Sequence, residues 1–161
     1  MDAAWHIIQD GLFAAIAAVG FAAISNPPRQ AFKWCALIAA VGHATRYVMM
    51  TYVGLGIVGA SLLGAIGIGL LATLIAPRVK CPPETFSYPS LLPMIPGMYA
   101  YRCLQSFILL LNAHGQADYS YYAYHCISNG TITLFVILAM VIGQWAPILL
   151  LNRISFSSTR R

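Results

Sequence analysis

Acidic side chains are nearly missing from this sequence. Asp2, Asp10, Glu84 and Asp118 are the only ones in 161 residues, and charged residues of both signs make up 8%. Soluble domains carry about 25%. With 60% hydrophobic residues and a mean hydropathy of +0.75, a chain this short has too little polar surface to cover its apolar side chains in water. A soluble fold is excluded, and an all-α integral membrane protein is expected. The signatures of catalytic chemistry are missing too. The four cysteines (Cys35, Cys81, Cys103 and Cys126) form no C-x-x-C pair and no metal-ligand spacing. Three of them fall inside apolar runs, where packing as small hydrophobes is expected. There is no G-x-S-x-G, no H-E-x-x-H and no Gly-Lys-Ser/Thr phosphate loop, so no enzyme is outlined and no cofactor or metal is expected. The start has Asp2 and no Lys or Arg before Arg29, so the first apolar run is read as a true span and not a cleaved leader.

What is present is apolar sequence with single basic punctuation. The formal charge is +5, but the cations sit singly and form no basic stripe, which argues against a nucleic-acid partner. The bilayer is the expected surrounding. Five spans are read within one polytopic membrane domain covering residues 1–161: about 5–25, 31–52, 57–76, 90–112 and 124–151. Asn26-Pro27-Pro28-Arg29 ends the first. From Trp34 to Ala76 the sequence is almost unbroken and as one helix would reach about 65 Å, twice the hydrocarbon core. A turn at Val53-Gly54-Leu55-Gly56 divides it. Pro77–Pro89 reads as a loop, and Ala113–Tyr122 as a polar, tyrosine-rich one whose rings suit an interfacial belt. The last span is long enough to tilt or to be interrupted at Pro147.

Small residues at helical spacing mark packing faces. They are Ala14, Ala18 and Ala22; Ala36, Ala40 and Ala44; and Ala60, Gly64 and Gly67 or Gly69. Five spans place Arg29, Lys33, Arg78, Lys80, Arg153, Arg160 and Arg161 on one side. The positive-inside rule then puts the N-terminus outside and the C-terminus inside.

Two features do not fit plain packing. The first is Pro93–Arg102, PMIPGMYAYR, where Pro93, Pro96 and Gly97 break a span near its start. Backbone groups freed in hydrocarbon must be met by protein or by a wet cavity, and broken helices of this kind line solute sites in transporters. A kink that serves packing alone is the alternative. The second feature is Arg46 and Arg102, the two cations left near mid-span. A centred arginine costs roughly 2.5–3.5 kcal/mol on insertion scales. With Asp10 read as an interfacial carboxylate, no acid stands at their depth. An anionic substrate would supply the countercharge, because guanidinium binds carboxylate through a two-pronged fork. Bonding to carbonyls freed at the proline break, an acid on another subunit, or snorkelling would also satisfy them. His43, one turn before Arg46, is a candidate to bind substrate or carry a proton. Tyr101 beside Arg102 and Asn129 in the last span complete the candidate substrate site, with Arg46, Arg102, His43, Pro93, Pro96 and Gly97. His125 is read as interfacial.

Several stretches resemble one family. Val19-Gly20-Phe21-Ala22, Asn26-x-Pro28, Trp34-Cys35-Ala36-Leu37, Gly42-His43-x-x-Arg46 and Pro93-Met94-Ile95-Pro96-Gly97-x-x-Ala100-Tyr101 are similar, in that order, to the small membrane subunit of the threonine/serine exporter family. The resemblance covers about Val19–Tyr101 and continues more weakly through Asn129. It implies a subunit of a bacterial inner-membrane exporter that works with a larger membrane subunit, of the two-gene type associated with succinate export. Tyr119–Tyr124 and the Pro147 region have no counterpart in that pattern. The leading expectation is a secondary exporter for small carboxylates, either a succinate-like dicarboxylate or threonine and serine. The alternative is a scaffold that stabilises the larger subunit through its glycine-rich third span. Self-association into a homo-oligomer is left open.

Overall fold

The computed structural model describes residues 2–151, and the basic tail Asn152–Arg161, with three of the seven topology cations, lies outside them. Among the described residues every regular element is helical. They are α1 (Asp2–Ser25), α2 (Ala31–Thr51), α3 (Ile57–Val79), α4 (Glu84–Leu91) running into a 3-10 turn (Leu92–Met94), α5 (Gly97–Leu111) and α6 (Gln116–Leu150). Three single helices are long and apolar enough to cross a membrane: α1, α3 and α6. The α4 and 3-10 segment taken together with α5 makes a fourth candidate. Five spans were expected, and α2 is the difference. Its length is sufficient, but Lys33, His43, Thr45 and Arg46 dilute its apolar residues.

The element boundaries correct several expectations. α3 runs through Pro77 and ends at Lys80, which adopts the left-handed conformation (φ 57°) and donates its N–H to the Ala76 carbonyl. Residues 77–89 are therefore not one loop. Pro82 and Pro83 stand just ahead of a new helix that starts at Glu84, where fixed φ and a first-turn carboxylate favour a helix N-terminus. The tyrosine-rich stretch is not a loop either. α6 begins at Gln116 with Asp118 in its first turn, so Tyr119, Tyr121, Tyr122 and Tyr124 are helical residues. α6 continues past Pro147 to Leu150 without interruption.

The chain divides into two compact units. The first comprises the described residues of Met1–Met94 and Ala139–Arg161, and the second is Ile95–Leu138. In the first unit the small-residue face of α1 packs as expected, whereas Ala36, Ala40 and Ala44 of α2 are only half-buried, and its buried face is instead Ala31, Cys35, Ile38, Ala39, Gly42 and His43. Ala14, Ala18 and Ala22 are buried, and a Cβ on Gly11 would stand 3.4 Å from the Ala40 carbonyl oxygen, so α1 and α2 lie almost backbone to backbone. α3 sits between neighbours. A Cβ on Gly64 would come within 2.9 Å of the Gly42 carbonyl oxygen in α2, and one on Gly143 within 2.7 Å of the Leu62 carbonyl oxygen. Gly69 meets the Gln144 backbone in the same manner, whereas Gly67 has nothing within 4 Å. The buried glycine face of α3 is thus Ala60, Gly64 and Gly69, and it is filled from within the chain.

Polar contacts tie α4 to the same unit. Ser90 Oγ lies 2.9 Å from the Cys35 carbonyl and 2.7 Å from the Phe86 carbonyl. Gln144 Nε2 donates to Ser87 Oγ at 2.8 Å, with both side chains fully buried. A buried amide and a buried hydroxyl are tolerated there because each meets the other.

Candidate functional site

Of the expected site residues, His43, Arg46 and Pro93 fall in the first unit, and Pro96, Gly97, Tyr101, Arg102 and Asn129 in the second.

The first unit holds a charged cluster at the α1–α2–α3 seam. His43 Nδ1 is 2.8 Å from Asp10 Oδ2, with the imidazole 10% and the carboxylate 37% exposed. Asp10 is therefore not a free interfacial carboxylate, as its position suggested; it is the partner of a buried histidine. Arg46 Nη1 donates to the Met94 carbonyl at 2.7 Å. Met94 ends the 3-10 turn, and the helical ladder does not resume until Gly97. Arg46 thus satisfies a carbonyl freed at the proline break, one of the alternatives open from the sequence. A Cβ on Gly64 would touch Met94 Cε at 2.9 Å and Arg46 Cβ at 3.5 Å, so the glycine contact of α2 and α3 lies beside this bond. Two buried polar atoms of this unit have no partner among the described residues, His43 Nε2 and Ser61 Oγ.

The second unit holds a polar cavity of about 270 Å³. α5 contributes Arg102, Gln105, Ser106 and Leu109, and α6 contributes Tyr121, Tyr122, His125 and Asn129. The spacing on α5 follows one helical face, at i, i+3, i+4 and i+7. Asn129 is 9% exposed, and its Nδ2 donates to the His125 carbonyl at 2.7 Å. That orients the amide and leaves its oxygen as an acceptor. The Tyr121 and His125 rings meet edge to face with centroids 4.4 Å apart. Among the described residues no acidic side chain lines the cavity.

By sequence, residues 10–150 match the threonine/serine exporter family, ThrE. The chain belongs to the threonine/serine exporter family. An uncharacterized protein of Haemophilus influenzae is 36% identical over 147 residues, which cover 91% of this chain and 48% of that protein. The chain thus spans about half the length of the curated relative it matches. No solved structure matches it. Family membership and the apolar helices agree in pointing to a membrane protein.

In this exporter-family chain Arg102 and Asn129 line the same cavity. Tyr101 does not line it; its side chain is 60% exposed. Pro96 is buried immediately before α5, where its φ of −79° and ψ of 62° lie outside the helical region and set off the new helix. Gly97 opens α5, and a Cβ there would meet nothing within 4 Å. His125, read as interfacial, is a wall of the cavity. Gln105 and Ser106 were not singled out from the sequence, and Tyr121 and Tyr122, read as part of an interfacial belt, are walls of the cavity. Their signal was the polar stripe on α5 and its aromatic counterpart on α6. A second, larger cavity of about 600 Å³ runs along α1 and α2, but Ile7, Leu12, Ala36, Leu37 and Ala40 make its lining apolar. It offers a small polar solute nothing to bind.

Proposed function

We propose that this chain is a subunit of a secondary exporter for small carboxylates and that the Arg102–Asn129 cavity receives the substrate. The observation that carries the proposal is the cavity's composition: one guanidinium, several neutral hydrogen-bonding groups, and no carboxylate among the described residues. Its 270 Å³ falls just below the roughly 300–1,000 Å³ of pockets that take drug-sized ligands, which suits a small metabolite. Arg102 holds one carboxylate through its fork. Gln105, Ser106, the tyrosine hydroxyls, His125 and Asn129 supply neutral bonds around the rest. A zwitterion would find only neutral acceptors for its ammonium group, so a succinate-like dicarboxylate is preferred over threonine or serine.

The Asp10–His43–Arg46 cluster serves a different step in this reading. With His43 neutral, the charges of Asp10 and Arg46 balance. A proton taken up at His43 leaves a net positive cluster beside the break, so His43 is the proposed carrier of a coupling proton. Arg46 anchors the break at Met94 and is not a substrate ligand. The relative's length, about twice the matched region, supports a second membrane unit that completes the pathway, supplied by a larger partner subunit in the bacterial inner membrane. The proposed orientation keeps the N-terminus outside.

The test is export from cells lacking their own exporters, with this chain alone, with its partner, and with the partner plus Arg102→Gln. Extracellular succinate, threonine and serine are followed together. Succinate export that needs both chains and is lost in Arg102→Gln at unchanged protein level is the expected result. Full export by the Arg102→Gln pair would overturn the site. Full export by the partner alone would reduce this chain to a scaffold.

A further inference from the structure

We propose that Cys103 and Cys126 form a redox latch on the substrate cavity, a dithiol whose oxidation to a disulfide fixes α5 against α6 and arrests transport. The transport effect rests on the reading of that cavity as the substrate site; the formation of the bond does not. The two sulfurs are 3.8 Å apart across the helix pair, both thiols are free, and both residues are only partly buried. A disulfide requires about 2.05 Å between sulfurs, so rotation of the two side chains closes most of the gap. The surroundings make room for this. A Cβ at Gly130 would stand 3.0 Å from Cys103 Sγ, so any larger residue there would crowd the sulfur where it now faces Cys126.

The register ties the pair to the cavity. Cys103 follows Arg102 and Cys126 follows His125, yet neither cysteine lines the cavity. The thiols are adjacent to the site without being part of it. The other two cysteines have no such geometry: Cys35 Sγ donates to the Thr85 carbonyl at 3.6 Å, and Cys81 Sγ to the Val79 carbonyl at 3.6 Å. With a peroxide as oxidant the step balances. One thiolate attacks the peroxide oxygen, giving a sulfenic acid and the first water once the leaving oxygen is protonated. The second thiol attacks the sulfenic sulfur, the S–S bond forms, and the second water leaves. Two electrons pass from the sulfurs to the peroxide, and a dithiol reductant reverses the change. The bridge joins residues 23 apart in sequence and holds together two walls that must separate if substrate is to enter and leave.

The experiment uses cells co-expressing the chain and its partner, treated with hydrogen peroxide or left untreated. Free thiols are alkylated, after denaturation, with a maleimide-linked polymer that retards migration once per thiol, while succinate efflux is followed in parallel. The reduced chain takes four tags, one per cysteine, and the oxidised chain is expected to take two. C103S and C126S each take three under both conditions. Efflux by the parent falls to background on oxidation and returns with dithiothreitol, whereas efflux by C103S does not respond. If oxidation removes no tag, the latch is wrong even where Arg102→Gln still abolishes efflux. If two tags are lost and efflux is unchanged, control of transport is wrong. If C103S is poorly produced, Cys126→Ala reads the same two quantities.

Discussion

The sharpest packing prediction compares two glycines on one helix. Gly64 and Gly67 both lie inside α3 and differ only in what faces them. At Gly64 a Cβ would be 2.9 Å from the Gly42 carbonyl oxygen and 2.9 Å from Met94 Cε. Ordinary carbon–oxygen contacts between packed helices are about 3.3–3.6 Å, so α2 and α3 must part by about half an ångström. The methionine end can turn away, but the backbone carbonyl cannot. Overpacking of this kind typically costs about 1–3 kcal/mol. Replacing an interior glycine with alanine returns about 1 kcal/mol of helix propensity. Gly64→Ala is therefore expected to lose from nearly nothing to about 2 kcal/mol net. Gly67→Ala, with nothing within 4 Å, keeps the propensity gain and is neutral or stabilising. Reversible unfolding of the two variants in mixed micelles should separate them by about 1–3 kcal/mol, since the propensity term cancels. Equal destabilisation of both, or a less stable Gly67→Ala, would refute the placement of α3. Gly64→Ala should also lower export, because the methyl group displaces Met94 beside the Arg46 bond.

Two further substitutions separate the roles assigned to the charged cluster. Arg46→Gln removes a charge-assisted bond to the Met94 carbonyl, expected to cost about 1.5–3 kcal/mol. Unfolding should show that loss, while succinate binding to the purified protein by calorimetry stays near the parent value; loss of binding at unchanged stability would make Arg46 a substrate ligand instead. His43→Gln keeps a hydrogen-bonding group for Asp10 but cannot carry a proton. Its export should lose the response to an imposed pH gradient that is expected of the parent. An unchanged response would remove His43 from coupling.

Much of the backbone was legible because its signals are local. Pro27-Pro28 and Gly54 through Gly56 divided the first three helices within a few residues of their observed ends, since prolines and glycines act where they stand. The break at Pro93–Gly97 was legible for the same reason. The helical start of the tyrosine stretch was not, because hydropathy treats Tyr119–Tyr124 as polar punctuation, while Asp118 and the Gly115 carbonyl, which accepts the Tyr119 N–H at 2.9 Å, favour a helix start. Which of Gly67 and Gly69 was buried depended on α6, far along the chain, and no local pattern specifies it. The Asp10–His43 pair was within reach. Asp10 and Arg46 are each eighteen residues from Pro28, so a helical hairpin turning there brings them level. The cavity was half legible: Arg102 and Asn129 stood out as polar residues in apolar spans, but the stripe Arg102, Gln105, Ser106 shows only when α5 is read by helical face.

The arrangement around α2 has a consequence for how the chain is made. Arg46 finds its carbonyl partner 48 residues later, at Met94. At synthesis rates of about 5–20 residues per second, that partner emerges roughly two to ten seconds after Arg46 itself. α2 is also the long helix that does not meet the hydropathy standard for crossing on its own. Asp10 has already been synthesised, on the helix against which α2 packs. If α2 crosses as the five-span reading expects, the Asp10 carboxylate is the countercharge at hand during those seconds, and α1 helps to take α2 into the bilayer. Asp10→Ala would then lower the yield of inserted protein before any effect on transport could be measured, and pulse-labelling of newly made chain would show the loss first.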